Sequence, residues 1–569
     1  MRRLLICLAL GVSLAGAAGA AHAQQAVTIN GVDATQVVIA PPDSPIAQLI
    51  KDRLSAAFYG KGPGAKGYAD AQKLYYFYGA RHFDPIWLKT ASDGSVAFSP
   101  AADKIIAVFK NAASEGFNPS DYLTPEINVS AAGNDPAKLA ALEGAFSAAT
   151  LRYAHDAYMG RIEPQDVSID FDPESKRLDA ADLLTRLATS DAPDQILLAL
   201  DPTSREFATL KAALAKYDEG TQTPPPPVVP PGPLLKAGMT DPRVAVLRQR
   251  LNVPAPALTD ASVYDDTLVA AVEDFQTGAG LSADGIVGNA TLAALNKDAT
   301  STITKEDIIA NMERWRWLPH DLGTFHVLVN IPEFRVSVID NDQTTFSTRV
   351  IVGKPSTPTP SFSNSIKNIV VNPYWNVPPS IVAKEIAPSM LRNPGYLDHE
   401  NMQIVSGAHV IDASAIDWSS VTQSNWRYSI RQLPGNGNAL GRIKFLFPNA
   451  HNVYLHDTPS KSLFANAVRA YSHGCVRVQN PMDFANALLQ AEPGLTVDEL
   501  QAMFGNTERW VNLKTHIPVH IAYFTVRADA DGTLHSFRDI YGNNQRLKDM
   551  LAGKAVAPEA NQQPIISGV

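Results

Sequence analysis

The stretch Thr221 to Pro233 reads TQTPPPPVVPPGP, and no other segment of this 569-residue chain limits its architecture as strongly. Successive prolines fix φ, remove N–H donors and hold an extended, semi-rigid chain that cannot enter a core. The stretch divides the protein, so residues on either side must bury their apolar surface separately. Docking of a proline-reading domain is the alternative use of such a sequence. The length leaves room for three or four domains, and a hydrophobic fraction of 45% with 18% charged residues describes an ordinary globular chain.

Before the proline stretch the apolar period is helical. Ile46, Leu49, Ile50, Leu54 and Phe58 recur at steps of three and four, and similar patterns cover about 101–116, 137–158, 180–199 and 204–217. Residues 43–220 are therefore expected to form a mostly α-helical domain. Within it Tyr75-Tyr76-Phe77-Tyr78, with Phe83, Ile86 and Trp87, is expected to be core or a domain interface. After the stretch, 234–297 reads as a small three-helix unit. Asp241-Pro242 is a helix start, an N-cap acceptor followed by a proline whose missing N–H costs nothing there. Val244, Leu247 and Leu251 line one helix, Leu268, Val272 and Phe275 a second, and Leu292 and Leu295 a third, which follows a tight turn at 284–288. A helical connector is expected over 298–324.

From Phe325 the period switches to two. Val327 and Val329, then Phe334, Val336 and Val338 across Ile331-Pro332-Glu333, predict a hairpin. Thr348–Val352, Ile369–Val371 and Val453–His456 continue a strand-rich domain over 325–527. A Trp-containing insertion at about 383–440 interrupts it, and long insertions of this kind serve as lids or binding loops. Residues 528–569 read as an extension, disordered from about 553.

Residues 1–23 have the form of a secretory signal. Arg2-Arg3 precede an apolar run from Leu4 to about Ala20, and Ala21-His22-Ala23 supply small residues before the cut. A loose leader follows over 24–42. Ile6 before Cys7 argues against lipid attachment. Cleavage would remove Cys7 and two arginines, leaving 46 basic residues against 57 acidic ones and Cys475 as the lone thiol. That balance argues against nucleic acid as a partner. No second apolar run reaches spanning length, so no membrane span is expected in the mature chain.

Cys475 sits in Tyr471-Ser472-His473-Gly474-Cys475-Val476-Arg477, and 15 residues separate His456 from Ser472. A thiol nucleophile needs a base and a group that orients the base. On an extended Val453–His456, Tyr454 and His456 share one face while Val453 and Leu455 face a core. Gly474 lets backbone amides approach a reacting carbonyl, so the Gly474 and Cys475 N–H groups are candidate oxyanion donors. His451, His456, His473 and Cys475 also suit zinc by type, but H-x4-H followed by H-x-C matches no strong zinc spacing, and no cofactor is expected.

The order Leu-Arg-Gln-Arg-Leu at 247–251, Phe275-Gln276, Gly280-Leu281, Asp284-Gly285-Ile286-Val287-Gly288, Thr291 and Leu295-Asn296 resembles the peptidoglycan-binding module of bacterial wall enzymes. His456, the 15-residue spacing and Ser472-His473-Gly474-Cys475 resemble the signature of the L,D-transpeptidase (YkuD-type) family. Asn372-Pro373-Tyr374-Trp375-Asn376-Val377-Pro378, Leu433-Pro434-Gly435, Asn438-Ala439-Leu440-Gly441-Arg442 and Tyr454–Pro459 resemble its large YcbB-like branch. The resemblance covers about 45–540. It implies a multidomain α+β protein: a helical scaffold, a three-helix peptidoglycan-binding domain and a β-rich catalytic domain with a capping insertion.

By the same resemblance, Cys475 attacks the carbonyl of the third residue of a wall tetrapeptide and D-Ala leaves. An acceptor amine then takes the acyl group, giving a 3→3 cross-link. His456 is the base and acid, its partner a main-chain carbonyl such as that of Asp457, and His473 with the Gly474 and Cys475 amides forms the oxyanion site. Tyr454, Trp375, Asn376, Arg442, Arg477, Asp457 and Ser472 are substrate-contact candidates. The general motif favours Asn where this chain has Arg477, whose guanidinium either clamps a substrate carboxylate or holds the loop. Donor and acceptor peptidoglycan tetrapeptide stems, carbapenem-type β-lactams as inhibitors and other wall-synthesis enzymes are the implied partners, in the periplasm. A carboxypeptidase or hydrolase using the same thiol, and a non-catalytic wall-binding protein, are the alternatives.

Overall fold

A computed structural model describes residues 28–29, 32–33, 38–61, 68–218, 227–230, 232–255, 260–279, 281–296 and 303–556. The expected signal over 1–23, most of the leader, the first half of the proline stretch and the tail beyond 556 lie outside the described residues. Among the described residues no helix is long and apolar enough to cross a membrane. The chain forms two compact units. One holds residues up to Lys104 with 124–151 and 178–193; the other holds 105–123, 152–177 and everything from Asp194. The segment 43–220 is thus divided between them.

In the first unit the helix Pro45–Tyr59 starts at Ser44, whose side chain accepts the Ala47 N–H, and buries Ile50, Leu54 and Phe58 as the period predicts. The strands β1 (Thr28–Ile29) with β2 (Val32–Asp33) and β3 (Leu88–Thr90) with β4 (Val96–Phe98) form two small antiparallel pairs. The aromatic run at 75–78 lies on a helix, Tyr68–Gly79, that no period announces. Four consecutive aromatics blur any stripe, and Leu74, Tyr75, Phe77 and Tyr78 are all buried. Buried Glu143 accepts the Tyr78 hydroxyl at 2.6 Å and the Ile86 amide at 2.6 Å, and burial raises its pKa to about 7.

The three-helix unit forms as expected from Pro242–Arg250, Asp266–Gly278 and Asn289–Leu295, with Asp241 capping the first helix through the Arg243 N–H at 2.9 Å. One expectation is corrected. Val229, inside the proline stretch, is fully buried in this core, and Asn296 pairs with its backbone at 2.9 and 2.7 Å. Among the described prolines, Pro230 and Pro233 are exposed and Pro227 is half-buried; Val229 is the residue that enters. Buried Gln276 locks the turn at 284–286. Its amide nitrogen lies 2.7 Å from Asp284 Oδ1 and 3.0 Å from the Ile286 carbonyl, and its oxygen accepts the Asp284 and Gly285 amides at 3.0 and 2.9 Å.

The expected connector holds a helix, Lys305–Trp317, that belongs to the core of the strand-rich domain. Thr304 and Asp307 form a capping box, and Ala310, Trp315 and Trp317 are buried against the strands that follow. Those strands are β5 (Phe325–Asn330), β6 (Arg335–Asp340), β7 (Gln343–Gly353) and β8 (Phe362–Val371). Then come β9 (Trp375–Val377), β10 (Met402–Ser406), β11 (His409–Ile411) and β12 (Ser429–Gln432). The main sheet resumes with β13 (Ile443–Leu446), β14 (Leu455–His456), β15 (Ala470–Ser472), β16 (Val476–Val478) and β17 (Arg509–Ala522), and β18 (Val526–Ala528) with β19 (Leu534–Ser536) make a last hairpin.

The main sheet runs β15-β7-β16-β14-β13-β8-β17-β5-β6, and β6 pairs again with β7, so the ribbon closes on itself. Alternation sends Val350, Val352, Ile369, Val371, Ile443, Phe445, Leu455, Val476 and Val478 into one core. The insertion is itself folded. The strands β11-β10-β12-β9 make a separate sheet over a core of Val377, Val382, Ile386, Met390, Ile404 and Trp418, so this cap starts at Trp375, earlier than the expected 383. The extension contributes a helix, Asn543–Leu551, whose Lys548 reaches Asp307 at 2.8 Å.

Replacing Gln276 with Ala should strand buried amides at the turn. A loss of about 1–3 kcal/mol is expected, seen as faster amide hydrogen exchange across 242–295 with the catalytic strands unchanged.

Candidate active site

The two residues of β14 lie parallel to β16, Leu455 level with Val476 and His456 level with Arg477. Leu455, Val476 and Val478 point into the core, so His456 and Arg477 point to the opposite face. Cys475 precedes β16 and sits beside Tyr454, whose carbonyl accepts the Val476 N–H at 3.1 Å. One register row thus crosses this face: Ile351, Arg477, His456, Lys444 and Val370, followed by Trp510 on β17. Lys444 is the residue the sequence did not announce here. A lone lysine in Ile443–Leu446 carries no local signal.

His456 is 4% exposed, and its Nδ1 lies 2.5 Å from the Asp457 carbonyl. A carbonyl only accepts, so Nδ1 carries the proton and Nε2 is left as the basic nitrogen. Burial, reinforced by the Arg477 charge, lowers the His456 pKa to about 3, so the ring is neutral at physiological pH. The expected main-chain partner is therefore present. Asp457 itself is engaged elsewhere: Oδ2 accepts the Arg442 N–H at 3.0 Å and Oδ1 pairs with Lys461 at 2.7 Å. Gly441, at φ +62, lies so close to the Asp457 carboxylate that no Cβ would fit.

The half-buried Cys475 Sγ lies 3.7 Å from the Asn452 carbonyl. Burial pushes the thiol above its ordinary pKa, while hydrogen bonds from Tyr454 and the charges of Arg477 and Lys444 act in the opposite sense. The resting pair is thus a neutral imidazole and a neutral thiol. Arg477 Nε is buried without a hydrogen-bond partner among the described residues. Buried Lys444 has Glu508 at 3.8 Å and lies over the Tyr454 ring at 5.9 Å and the Trp510 ring at 5.7 Å.

The loop around the thiol is braced from within. Ser472 Oγ donates to the Cys475 carbonyl at 2.5 Å and accepts the Gly474 N–H at 3.1 Å, and Thr359 Oγ1 donates to the Gly474 carbonyl at 2.7 Å. Gly474 adopts φ +116, a conformation that disfavours side chains. These bonds revise two expectations. Buried Ser472 is a loop brace rather than a substrate contact, and the Gly474 amide is already occupied, which leaves the Cys475 N–H as the remaining candidate of the expected pair. His473 Nε2 lies 2.7 Å from Glu385 Oε1, with Lys354 Nζ at 3.3 Å. The shorter contact makes Nε2–H the donor to Glu385, so that proton is also engaged. Glu385 sits on a π-turn of the cap, Val382–Ile386, and no sequence signal pairs it with His473.

The remaining candidates are spread out. Trp375 and Asn376 form β9 of the cap sheet, Trp375 packing on the cap core and Asn376 exposed opposite Arg431. The Arg442 guanidinium lies over the Phe504 ring at 4.4 Å. Tyr454 alone of the aromatic candidates packs beside His456, with ring centroids 5.6 Å apart.

Residues 324–509 match the YkuD family model, described as an L,D-transpeptidase catalytic domain; 72–214 match a scaffold domain, and 240–295 a "Putative peptidoglycan binding domain". A "Putative L,D-transpeptidase" of Haemophilus influenzae is 33% identical over 251 residues, 43% of this chain and 50% of that protein. The chain thus spans about half the length of this curated relative. Among solved structures, the Ldtfm-avibactam carbamoyl enzyme is 13% identical over 36% of this chain and 50% of its own, with a TM-score of 0.17. The L,D-transpeptidase of Xylanimonas cellulosilytica is 16% identical over 51% and 99%, with a TM-score of 0.16. At those scores neither likeness carries an argument.

Three outcomes follow from the site. Because the thiol is raised by burial and held down by cations, iodoacetamide alkylation of Cys475 should accelerate only at alkaline pH. Arg477→Ala should move that rate profile to still higher pH. Glu385→Ala should speed amide exchange at 382–387 and 472–475 with a global stability change of no more than about 1 kcal/mol, since the contact is part-exposed.

Proposed function

Because residues 324–509 are an L,D-transpeptidase catalytic domain of the YkuD family and 240–295 a peptidoglycan-binding domain, we propose that this protein cross-links peptidoglycan through a Cys475 thioester. The observation that carries the reading is the parallel pairing of β14 with β16. It sets a neutral, oriented His456 and the Cys475 thiol on one face of the sheet.

In the proposed cycle His456 Nε2 takes the thiol proton as Sγ attacks the carbonyl of the third residue of a donor tetrapeptide. The Cys475 N–H faces the developing oxyanion, and Arg477 and Lys444 favour the thiolate electrostatically. The C–N bond to D-Ala breaks, and the imidazolium returns its proton to the leaving amine. An amine of an acceptor stem then attacks the thioester, giving up a proton through His456 as the thiol is restored. The energy of the broken peptide bond is kept in the thioester, so no nucleotide is required. The reading entails export: the signal-like segment over 1–23 and the wall-binding module are consistent with a periplasmic site of action.

Incubation of the protein and its Cys475→Ala variant with disaccharide-tetrapeptide, read by mass spectrometry, tests this. The expected product is a dimer lighter than two donors by one alanine, made by the wild type alone. Free tripeptide without dimer would instead identify a carboxypeptidase or hydrolase, and no turnover by either protein would favour a binding role. Carbapenem treatment should add one drug mass to the wild type and none to Cys475→Ala.

A further inference from the structure

Trp510 is 56% exposed, unusual for an indole, and nothing in the catalytic cycle uses it. It is not a stray apolar residue. Its Nε1–H donates to Glu508 Oε2 at 3.0 Å, and the same carboxylate accepts the Tyr374 N–H at 2.9 Å through its other oxygen. The ring is therefore held in place with a face open to solvent. It ends the register row that contains His456, on the same face of the sheet, with Lys444 between them. From Trp510 to Lys444 Nζ to the Tyr454 ring are two steps of 5.7 and 5.9 Å.

We propose that Trp510 is a sugar-binding platform, stacking on the N-acetylhexosamine that carries the donor stem. The inference rests on the transpeptidase reading and deepens it. Three strand spacings separate β14 from β17, about 14 Å. Three extended residues reach about 10 Å, so a donor whose third carbonyl lies at Cys475 and whose chain follows the row brings its stem's far end within about one strand spacing of β17, a gap the attached sugar and its linker can bridge. An open indole face suits the apolar C–H face of a pyranose, while the bonds holding the ring fix its orientation in advance. Lys444 lies nearer the thiol, where the stem passes and its carboxylates need a cation. Trp510 lies beyond that charge, where an uncharged ring is the appropriate ligand.

The test compares disaccharide-tetrapeptide with the sugar-free tetrapeptide as donors, following acylation of Cys475 by intact mass in wild type, Trp510→Ala and Trp510→Phe. Wild type should acylate faster with the disaccharide donor by roughly three- to tenfold, the range one stacking contact supplies. Trp510→Ala should lose that preference yet keep the wild-type rate on the sugar-free peptide, and Trp510→Phe should retain part of it. Equal slowing on both donors, or no preference in the wild type, would overturn the proposal. If neither donor acylates the wild type, the transpeptidase reading itself fails. The platform is then judged by binding of the two donors to Cys475→Ala and to Cys475→Ala with Trp510→Ala. Equal affinity for both donors in the first of these would overturn it, and tighter disaccharide binding lost in the second would support it.

Discussion

The short parallel pairing between β14 and β16 is the contact on which the rest of the catalytic domain depends. Only two residue pairs define it, Leu455 with Val476 and His456 with Arg477. Parallel neighbours cannot be joined by a tight turn and need a long crossover. Residues 457–475 supply it, and β15 pairs with β7 on the way. The 15 residues between His456 and Ser472 make up most of that crossover. Because each strand alternates, burying Leu455, Val476 and Val478 obliges His456, Arg477 and the adjoining Cys475 to face the other way. A slip of one residue would exchange the catalytic face for the core.

That geometry also sets the electrostatics. A buried imidazole beside a guanidinium resists a proton, and a buried thiol resists losing one, so the resting pair stays neutral. The surrounding loop is rigid for a different reason: Ser472, Thr359 and the Gly474 backbone satisfy one another, leaving few of the loop's polar groups available to a ligand. The cap reaches this loop through the Glu385–His473 contact. An insertion with its own sheet and apolar core is a folded body rather than a flexible lid.

Much of the fold was legible wherever the signal was local. The helix at Asp241-Pro242, the hairpin across Ile331-Pro332-Glu333 and the inward Val453 and Leu455 each depend on residues a few positions apart. The His456–Cys475 pairing was legible from a motif. Reading failed where local signals were diluted or interrupted. Consecutive aromatics hid the helix Tyr68–Gly79, and two valines let a proline stretch enter a core at Val229. The helix Lys305–Trp317, rich in charge, read as a connector, yet Arg314 and Arg316 are buried in the folded chain.

By itself the sequence determined the order of parts and the periods of helix and strand, and it singled out a candidate nucleophile and base, because each follows from neighbours along the chain. Only the tertiary structure decided that Lys444 lies between Tyr454 and Trp510, that Glu385 holds His473, that Gly474 N–H is occupied and that Trp510 shares a row with His456. Most of those relations join residues far apart along the chain, as Glu385 and His473 show. They are set by strand register and by the packing of an insertion, and neither quantity is encoded in any single stretch of residues.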